Sequence, residues 1–444
     1  MITAPICEFV RRYRYSGALR MHMPGHKGTA LLGPEPLDLT EIEGADVLYH
    51  AEGIIRESEE NAAALFGTKK TFYSAEGSSL CIRAMLYLAL LHARANHKKP
   101  VIAAGRNAHK VFMTAAALLD LDIRWIYGTE SVISCAITPA QLEDVIVSEN
   151  PAAVYITSPD YLGNIADIKS LSTVCKKHGV LLLVDNAHGA YLHFLPEPMH
   201  PMQLGADICC DSAHKTLPVL TSGAYLHIAH GTPGMFAQRA ESAMALFAST
   251  SPSYLILQSL DAMNPLLATS FPAQLKACAE RLDTLKAKLR AHGYALCGEE
   301  RTKLCLLPKS FGYTGTALAE ILTHHNIYCE FSDADHLVMM FTPETTPADF
   351  ARLERALLSV LPAPAILSKP PVPPHAERVL SPREALFSPS ETLPLSECEN
   401  RILADANVSC PPAVPLAVCG ERLTPEVISA MEYYGTEHCT VVVE

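Results

Sequence analysis

Two stretches of the sequence decide the fold: Val180-Leu181-Leu182-Leu183-Val184-Asp185, and Asp211-Ser212-Ala213-His214-Lys215-Thr216 about thirty residues later. The first is one of several short apolar runs that alternate with helical patterns. Such alternation predicts an α/β fold, with a mostly parallel sheet flanked by helices. Ligands of these sheets bind beyond the carboxyl ends of the strands, so the polar residues after each run are the candidates for chemistry.

The predicted elements follow from periodicity and from glycine and proline positions. Strands are expected over residues 101–104, 123–127, 153–157 and 180–184, and helices over residues 57–65, 80–95, 111–119, 140–147, 169–178 and 272–292. Prolines in residues 194–201 predict an irregular connection, and those in residues 363–374 predict a semi-rigid surface linker.

Composition excludes several classes of protein. With 49% hydrophobic and 18% charged residues, the chain is expected to be globular, and a length of 444 residues suits two domains. We expect no membrane span and no secretory signal. The net charge of -12 disfavours nucleic-acid binding. Fourteen dispersed cysteines without Cys-x-x-Cys spacing favour reduced thiols in the cytoplasm, and Cys209 and Cys210 are interpreted as core residues rather than metal ligands.

Lys215 and Asp185 together suggest a particular cofactor. Pyridoxal phosphate needs an amine that carries it as a Schiff base and a carboxylate that keeps its ring nitrogen protonated. Lys215 can supply the amine and Asp185, which follows a strand, the carboxylate. Either residue alone would have an ordinary explanation, as a surface lysine or a helix cap.

A phosphate site is predicted nearby. Gly77, Ser78 and Ser79 precede a helix, where backbone N–H groups and the helix dipole favour a dianion. A simple turn and N-cap would look the same in sequence. Ser212 and His214 flank Lys215 closely enough to reach the same phosphate, which strengthens the cofactor hypothesis.

Several motifs in order resemble the pyridoxal phosphate-dependent ornithine/lysine/arginine decarboxylases. They are Met21-His22-Met23-Pro24-Gly25-His26-Lys27-Gly28, residues 51–67, Arg106-Asn107-Ala108-His109-Lys110, Ile156-Thr157-Ser158-Pro159, Val184-Asp185-Asn186-Ala187-His188-Gly189-Ala190, Ser212-Ala213-His214-Lys215-Thr216-Leu217-Pro218, Thr250-Ser251-Pro252-Ser253-Tyr254, and Cys410-Pro411-Pro412-Ala413-Val414-Pro415 with Gly420-Glu421-Arg422. The resemblance implies the aspartate-aminotransferase fold (fold type I) in a compact form without an N-terminal receiver-like domain. We accordingly expect an N-terminal arm over residues 1–50, a large cofactor-binding domain over 51–270 and a smaller C-terminal α+β domain over 271–444.

The resemblance also implies roles for individual residues. Lys215 would carry the cofactor, Asp185 would pair with its ring nitrogen, and His109 would stack on the ring. His188 would lie near the ring and the substrate carboxylate. The remaining cofactor contacts would be Gly77, Ser78, Ser79, Ser158, Ala187, Ser212 and His214. Glu421 is a candidate for the distal cation of a basic amino acid, although a surface carboxylate is an equal alternative.

The implied reaction is decarboxylation of arginine, lysine or ornithine to an amine of polyamine biosynthesis, through a Schiff base and a quinonoid intermediate. Lys215 or His188 would then protonate the α-carbon. Another reaction of the same fold type, such as transamination or racemisation, and a catalytically altered regulatory protein remain alternatives. The family implies at least a homodimer, with residues 21–28 and 250–254 as candidates to cross the interface.

Two departures from the family pattern add negative charge. Glu76 stands where asparagine is frequent, and Asp160 where threonine is common. Side chains that faced the cofactor would weaken its binding or alter the choice of substrate. The His22 and His26 spacing resembles that of helical zinc ligands, but Pro24 and Gly25 intervene, so no metal site is expected.

Overall fold

The computed structural model describes residues 2–128, 136–372, 375–406 and 414–443. The chain forms two compact units, Met1–Lys98 with Ile168–Leu275, and Lys99–Asp167 with Lys276–Glu444. They are called the first unit and the second unit below. The domain boundaries expected at residues 50 and 270 stay a prediction.

Helices and strands are numbered in chain order. The helices are α1 (Pro5–Tyr15), α2 (Ile54–Phe66), α3 (Gly77–Ala95), α4 (Lys110–Leu119), α5 (Pro139–Glu149), α6 (Ile168–His178), α7 (Pro201–Leu204), α8 (Ala213–Thr216), α9 (Gly234–Ala245), α10 (Tyr254–Leu267), α11 (Phe271–His292), α12 (Gly315–His324), α13 (Pro347–Ser359), α14 (Pro382–Phe387) and α15 (Pro425–Tyr433). The strands are β1 (Lys70–Ser74), β2 (Val101–Gly105), β3 (Asp122–Ile126), β4 (Ala153–Thr157), β5 (Leu181–Asp185), β6 (Ile208–Asp211), β7 (Ala224–Ile228), β8 (Ala295–Cys297), β9 (Lys303–Leu307), β10 (Phe331–Ser332), β11 (Leu337–Met340), β12 (Ser390–Pro394) and β13 (His438–Val442).

The first unit has four strands in the order β1-β7-β6-β5. β5 and β6 are parallel, whereas β7 runs antiparallel to both β6 and β1. Every residue of β5, β6 and β7 is buried, which explains why these strands are mostly apolar rather than alternating. Asp185, Asp211 and His227 are buried polar exceptions. Helix α3 packs on this sheet and is itself mostly buried.

The second unit contains three parallel strands in the order β4-β2-β3. It also contains an antiparallel sheet, β10-β11-β9-β8, and the antiparallel pair β12 and β13. Leucines of α11, α12 and α13 form one core with β9 and β11, and α15 forms another with β13. These helices and antiparallel strands form the α+β part expected toward the carboxyl end of the chain.

The local predictions are confirmed within a few residues. The helix predicted from residue 57 begins at Ile54 and ends before Gly67, which adopts a left-handed conformation with φ of +62°. The strand predicted over 180–184 is shifted by one residue, so that Asp185 is its last residue. Residues 195–200 form no helix or strand, and the connection holds only a 3-10 turn that ends at Phe194 and the four-residue α7 that begins at Pro201. Residues 363–372 also hold no helix or strand. Pro373, Pro374 and the motif residues Cys410, Pro411, Pro412 and Ala413 lie outside the described residues.

Candidate active site

The carboxyl ends of β5 and β6 carry the main candidates of the first unit. β5 ends at Asp185 and leads into Asn186, Ala187 and His188. β6 ends at Asp211 and leads through Ser212 into α8, which bears Lys215. Because the two strands are parallel and Asp185 is in register with Cys210, the segments that follow them leave the same edge of the sheet.

Lys215 lies in contact with His188. Its Nζ is 3.1 Å from His188 Nε2, and the His188 side chain is buried. One of these nitrogens donates a proton and the other accepts it, so the pair can hold and exchange one proton. The structure therefore places the predicted Schiff-base amine beside the predicted acid–base group.

Asp185 is a buried carboxylate, with only 2% of the residue exposed. Its Oδ1 accepts the Ala187 backbone N–H at 3.2 Å, and the Cys210 thiol lies 3.6 Å away. A carboxylate removed from water is stabilised by a cationic or strongly donating partner. A protonated pyridine nitrogen would be such a partner.

The predicted phosphate ligands meet at the start of α3. Ser212 Oγ donates to Ser78 Oγ at 2.7 Å. Gly77, with φ of +73°, begins the helix and donates its N–H to the Ser222 carbonyl. Among the described residues, no side chain caps α3. An uncapped helix start beside two hydroxyl groups is a suitable environment for a phosphate dianion.

One ring nitrogen of His214 forms a hydrogen bond with the protein backbone. Its Nδ1 donates to the Gly223 carbonyl at 3.1 Å, and burial lowers the pKa of the imidazole. In the neutral ring Nε2 is then an acceptor, so a hydrogen bond from Nε2 to phosphate requires protonation. A bound dianion would favour the protonated ring.

Two further candidates belong to the second unit. His109 caps α4, where its Nδ1 accepts the Val111 N–H at 3.2 Å. Ser158 follows β4 and is buried, and its Oγ accepts the Ala166 N–H at 3.0 Å. Both residues follow the carboxyl ends of parallel strands, as predicted, and their contacts with a cofactor stay a prediction.

Glu421 is buried rather than exposed, in contrast to the alternative of a surface carboxylate. Its Oε2 accepts from Arg106 Nη2 at 3.1 Å and from the Val418 N–H at 2.8 Å. Burial raises the pKa of Glu421, and the Arg106 guanidinium partly opposes that rise. Nothing in the sequence pointed to this pair, because 315 residues separate the two side chains.

Glu76 and Asp160 both have protein partners. Glu76 Oε1 accepts the Ser249 N–H at 2.6 Å. The Asp160 carboxylate is buried and accepts from the backbone N–H and the side-chain amide of Asn164, at 2.9 and 2.8 Å. The Glu76 carboxylate thus binds a backbone segment that is distant along the chain, whereas the Asp160 carboxylate stabilises its own loop.

The residues of the first unit fit pyridoxal phosphate. They offer an amine at Lys215, a buried carboxylate at Asp185, and the contacting hydroxyls of Ser78 and Ser212 at an uncapped helix start. Each matches one functional part of the cofactor. Bound there, the cofactor supplies an electron-accepting ring for cleavage of a bond to the amino acid α-carbon.

Comparison with known proteins supports this assignment. A family model described as "Orn/Lys/Arg decarboxylase, major domain" matches residues 4–296. The arginine decarboxylase of Bacillus subtilis is 31% identical, over 96% of this chain and 92% of that protein. The arginine decarboxylase of Halalkalibacterium halodurans is 28% identical, over 95% of this chain and 91% of that protein.

Solved structures support the fold. The Francisella novicida lysine decarboxylase superposes with a TM-score of 0.78 at 16% identity, over 100% of this chain and 81% of that chain. The Escherichia coli constitutive lysine decarboxylase also gives 0.78, at 17% identity, over 99% and 82%. The fold is therefore that of fold type I pyridoxal-phosphate enzymes, as predicted. From the family match, the full-length relatives and the fitting site, we conclude that the chain belongs to the Orn/Lys/Arg decarboxylase family of pyridoxal phosphate-dependent amino acid decarboxylases.

Proposed function

We propose that the protein decarboxylates arginine, releasing carbon dioxide and the corresponding amine for polyamine biosynthesis. The observation that supports arginine over lysine or ornithine is the similarity, along almost the whole chain, to the arginine decarboxylase of Bacillus subtilis. The lysine decarboxylases are similar in fold at much lower identity. Arginine is thus the first substrate to test.

In this proposal Lys215 and His188 are the candidate acids that protonate the substrate α-carbon. Lys215 would hold the cofactor through its amine. Lys215 Nζ lies 3.1 Å from His188 Nε2, so either nitrogen would be placed to deliver a proton to the substrate α-carbon. Asp185 would keep the ring nitrogen of the cofactor protonated, because an opposite charge raises the proton affinity of a pyridine.

The recognition of the distal cation remains a prediction for Glu421. Arg106 and the Val418 N–H already bind its Oε2. A substrate guanidinium at this carboxylate would have to share it with Arg106. Glu421→Gln should therefore raise KM for arginine more than it lowers kcat if the prediction is right, and should change stability alone if Glu421 serves only Arg106.

The proposed reaction is tested by assaying carbon dioxide and amine release from arginine, lysine and ornithine. Release from arginine with the highest kcat/KM is expected. The purified protein should show an absorbance band at about 420 nm that borohydride bleaches and that Lys215→Ala abolishes. Lys276→Ala, on the exposed face of α11, is a control that should keep the band. No release from any of the three amino acids would refute the activity, and preference for lysine or ornithine would refute the assignment of arginine.

We further propose a homodimer in the cytoplasm. Large apolar side chains are exposed along the arm, including Leu19, Met21, Leu31 and Leu32, of which Leu32 is 92% exposed. Such a surface is typical of a chain that packs on a second copy. The twelve cysteines that the structure describes are free thiols, which fits a reducing compartment. Among the helices that the structure describes, none combines the length and the apolar composition of a membrane-spanning segment. Sedimentation equilibrium would test the dimer, and a monomer at micromolar concentration would refute it.

A further inference from the structure

A buried polar cluster lies behind the candidate active site in the first unit. It consists of Asp211, His200, His227 and Asn186, each of which has 0% exposure. Asp211 Oδ2 accepts from His200 Nε2 at 3.0 Å and from His227 Nε2 at 3.1 Å. Asp211 Oδ1 accepts from Asn186 Nδ2 at 2.7 Å. Polar groups in a core need hydrogen-bond partners, because an unpaired buried group is costly. Within this cluster, Asn186 Oδ1 is the one side-chain polar atom that accepts no hydrogen bond.

The second nitrogen of each histidine shows how the ring is protonated. His200 Nδ1 accepts the Met202 backbone N–H at 3.2 Å, so the proton of a neutral His200 lies on Nε2. Burial lowers the pKa of His227, and its Nδ1 lies 2.8 Å from the Thr71 hydroxyl, which can donate to it. Both rings therefore donate from Nε2 to Asp211. Burial alone would raise the pKa of Asp211, but the two histidines outweigh burial and lower it.

These hydrogen bonds also distinguish the cluster from a metal site. Ligand atoms of His200, Cys209 and Asp211 lie within 4.8 Å of one another, which is close enough for a metal ion. A histidine that binds a metal through Nε2 normally donates from Nδ1. The Nδ1 of His200 instead accepts a hydrogen bond. The arrangement is that of a carboxylate held by hydrogen-bond donors.

Asp211 connects the two strands that carry the cofactor residues. Asn186 directly follows Asp185 at the end of β5, and Asp211 directly precedes Ser212 at the end of β6. The Asn186 backbone adds a bond to the Cys210 carbonyl at 2.9 Å. The Asn186 to Asp211 bond thus fixes the carboxyl end of one strand relative to the other.

We propose that Asp211, held by His200 and His227, is a positioning residue of the decarboxylase. Through Asn186 it sets where Asp185 lies relative to Ser212 and Lys215, so that the ring nitrogen, the phosphate and the aldehyde carbon can be bound at once. The inference rests on the cofactor roles proposed above for these three residues. It predicts that an exchange of the amide and the carboxylate within the pair preserves the site.

The exchange can be tested with two variants. Asn186→Asp replaces the amide donor by a carboxylate oxygen, which would face the Asp211 carboxylate oxygen across the 2.7 Å of the lost hydrogen bond. The repulsion between the two carboxylates should lower the affinity for pyridoxal phosphate at least about tenfold. Adding Asp211→Asn should restore affinity to within about threefold of the wild type. In the double variant, the new amide donates to the new carboxylate while its oxygen accepts both imidazole N–H groups.

The matched control is Asp207→Asn. Asp207 directly precedes β6, at the end of the strand opposite Asp211, and its Oδ2 accepts the Leu182 N–H at 2.8 Å. The Asp207→Asn variant should bind pyridoxal phosphate with the affinity of the wild type. Affinity is measured by equilibrium titration of the apoprotein with pyridoxal phosphate, and thermal unfolding of each apoprotein is recorded alongside.

Three results would overturn the inference. The first is an Asn186→Asp variant that binds the cofactor as tightly as the wild type. The second is a folded double variant that does not recover affinity, and the third is stoichiometric zinc in the purified protein. A wild type that binds pyridoxal phosphate but releases no amine would refute the proposed activity alone, because the affinity comparison does not depend on turnover.

Discussion

Arg106 and Glu421 allow a quantitative prediction about a buried ion pair. Arg106 donates to Glu421 Oε2 at 3.1 Å and to the carbonyls of Pro415 and Leu416 at 2.8 and 3.2 Å. Arg106→Met would keep an apolar side chain of similar length but leave Glu421, which is 1% exposed, without its cation. Breaking a buried pair in this way costs about 3–5 kcal/mol of stability.

Protonation of Glu421 sets an upper limit on that loss. A carboxyl group with an ordinary pKa of 4.5 takes up a proton at pH 7.5 at a cost of about 4 kcal/mol, at about 1.4 kcal/mol per pH unit. At pH 5.5 the same step costs only about 1.4 kcal/mol. We therefore expect Arg106→Met to lose about 3–4 kcal/mol at pH 7.5 and about 1–2 kcal/mol at pH 5.5. Removing Arg106 takes away the charge that opposes the effect of burial, so the pKa of Glu421 in the folded variant rises further, and the stability of the variant falls more steeply as pH rises.

Urea unfolding followed by Trp125 fluorescence measures this loss. Trp125 is the single tryptophan of the chain, and the Arg106 guanidinium lies over its ring at 5.0 Å. Arg124→Met is the control, because Arg124 forms a partly exposed pair with Glu149 and should lose under about 1 kcal/mol. Adding Glu421→Gln to Arg106→Met should recover part of the stability. Equal losses in the two arginine variants, or a loss in Arg106→Met that does not depend on pH, would refute the reasoning.

Three further predictions concern single residues. Gly189→Ala would place a Cβ in steric overlap with Asn186 Oδ1 and should cost about 1–3 kcal/mol in thermal unfolding, whereas Gly231→Ala enters open space and should be neutral. Burial raises the pKa of Glu59 to about 8, so this residue's contribution to stability is present below its ordinary pKa of 4.5 and is lost as pH rises through about 8. Glu59→Gln should remove that part of the pH dependence, and an unchanged pH profile would contradict the assignment. Glu76→Gln should change the affinity for pyridoxal phosphate by less than about threefold, because Glu76 binds the Ser249 N–H; a larger change by titration would show that the carboxylate acts on the cofactor.

Much of the fold and part of the site were predictable because their signals are local. Apolar runs and glycine or proline positions predicted strands such as β4 and helices such as α2 within a few residues. Asp185 could be singled out because it follows a predicted strand, where ligands of parallel sheets bind, and Lys215 because Ser212 and His214 flank it closely enough to reach a phosphate. The chemistry of an amine and a carboxylate then indicated the cofactor.

The sequence by itself therefore determined the fold class and the cofactor. It also identified the candidate site residues that lie just after predicted strands. Only the tertiary structure decided which distant side chains share a buried environment. It placed His200 and His227 on Asp211, bound Arg106 to Glu421, and turned Glu76 toward Ser249. These contacts depend on the order of strands and on the paths of loops between them. A buried charge selects its partner by proximity in space, and separation along the chain carries no record of that proximity.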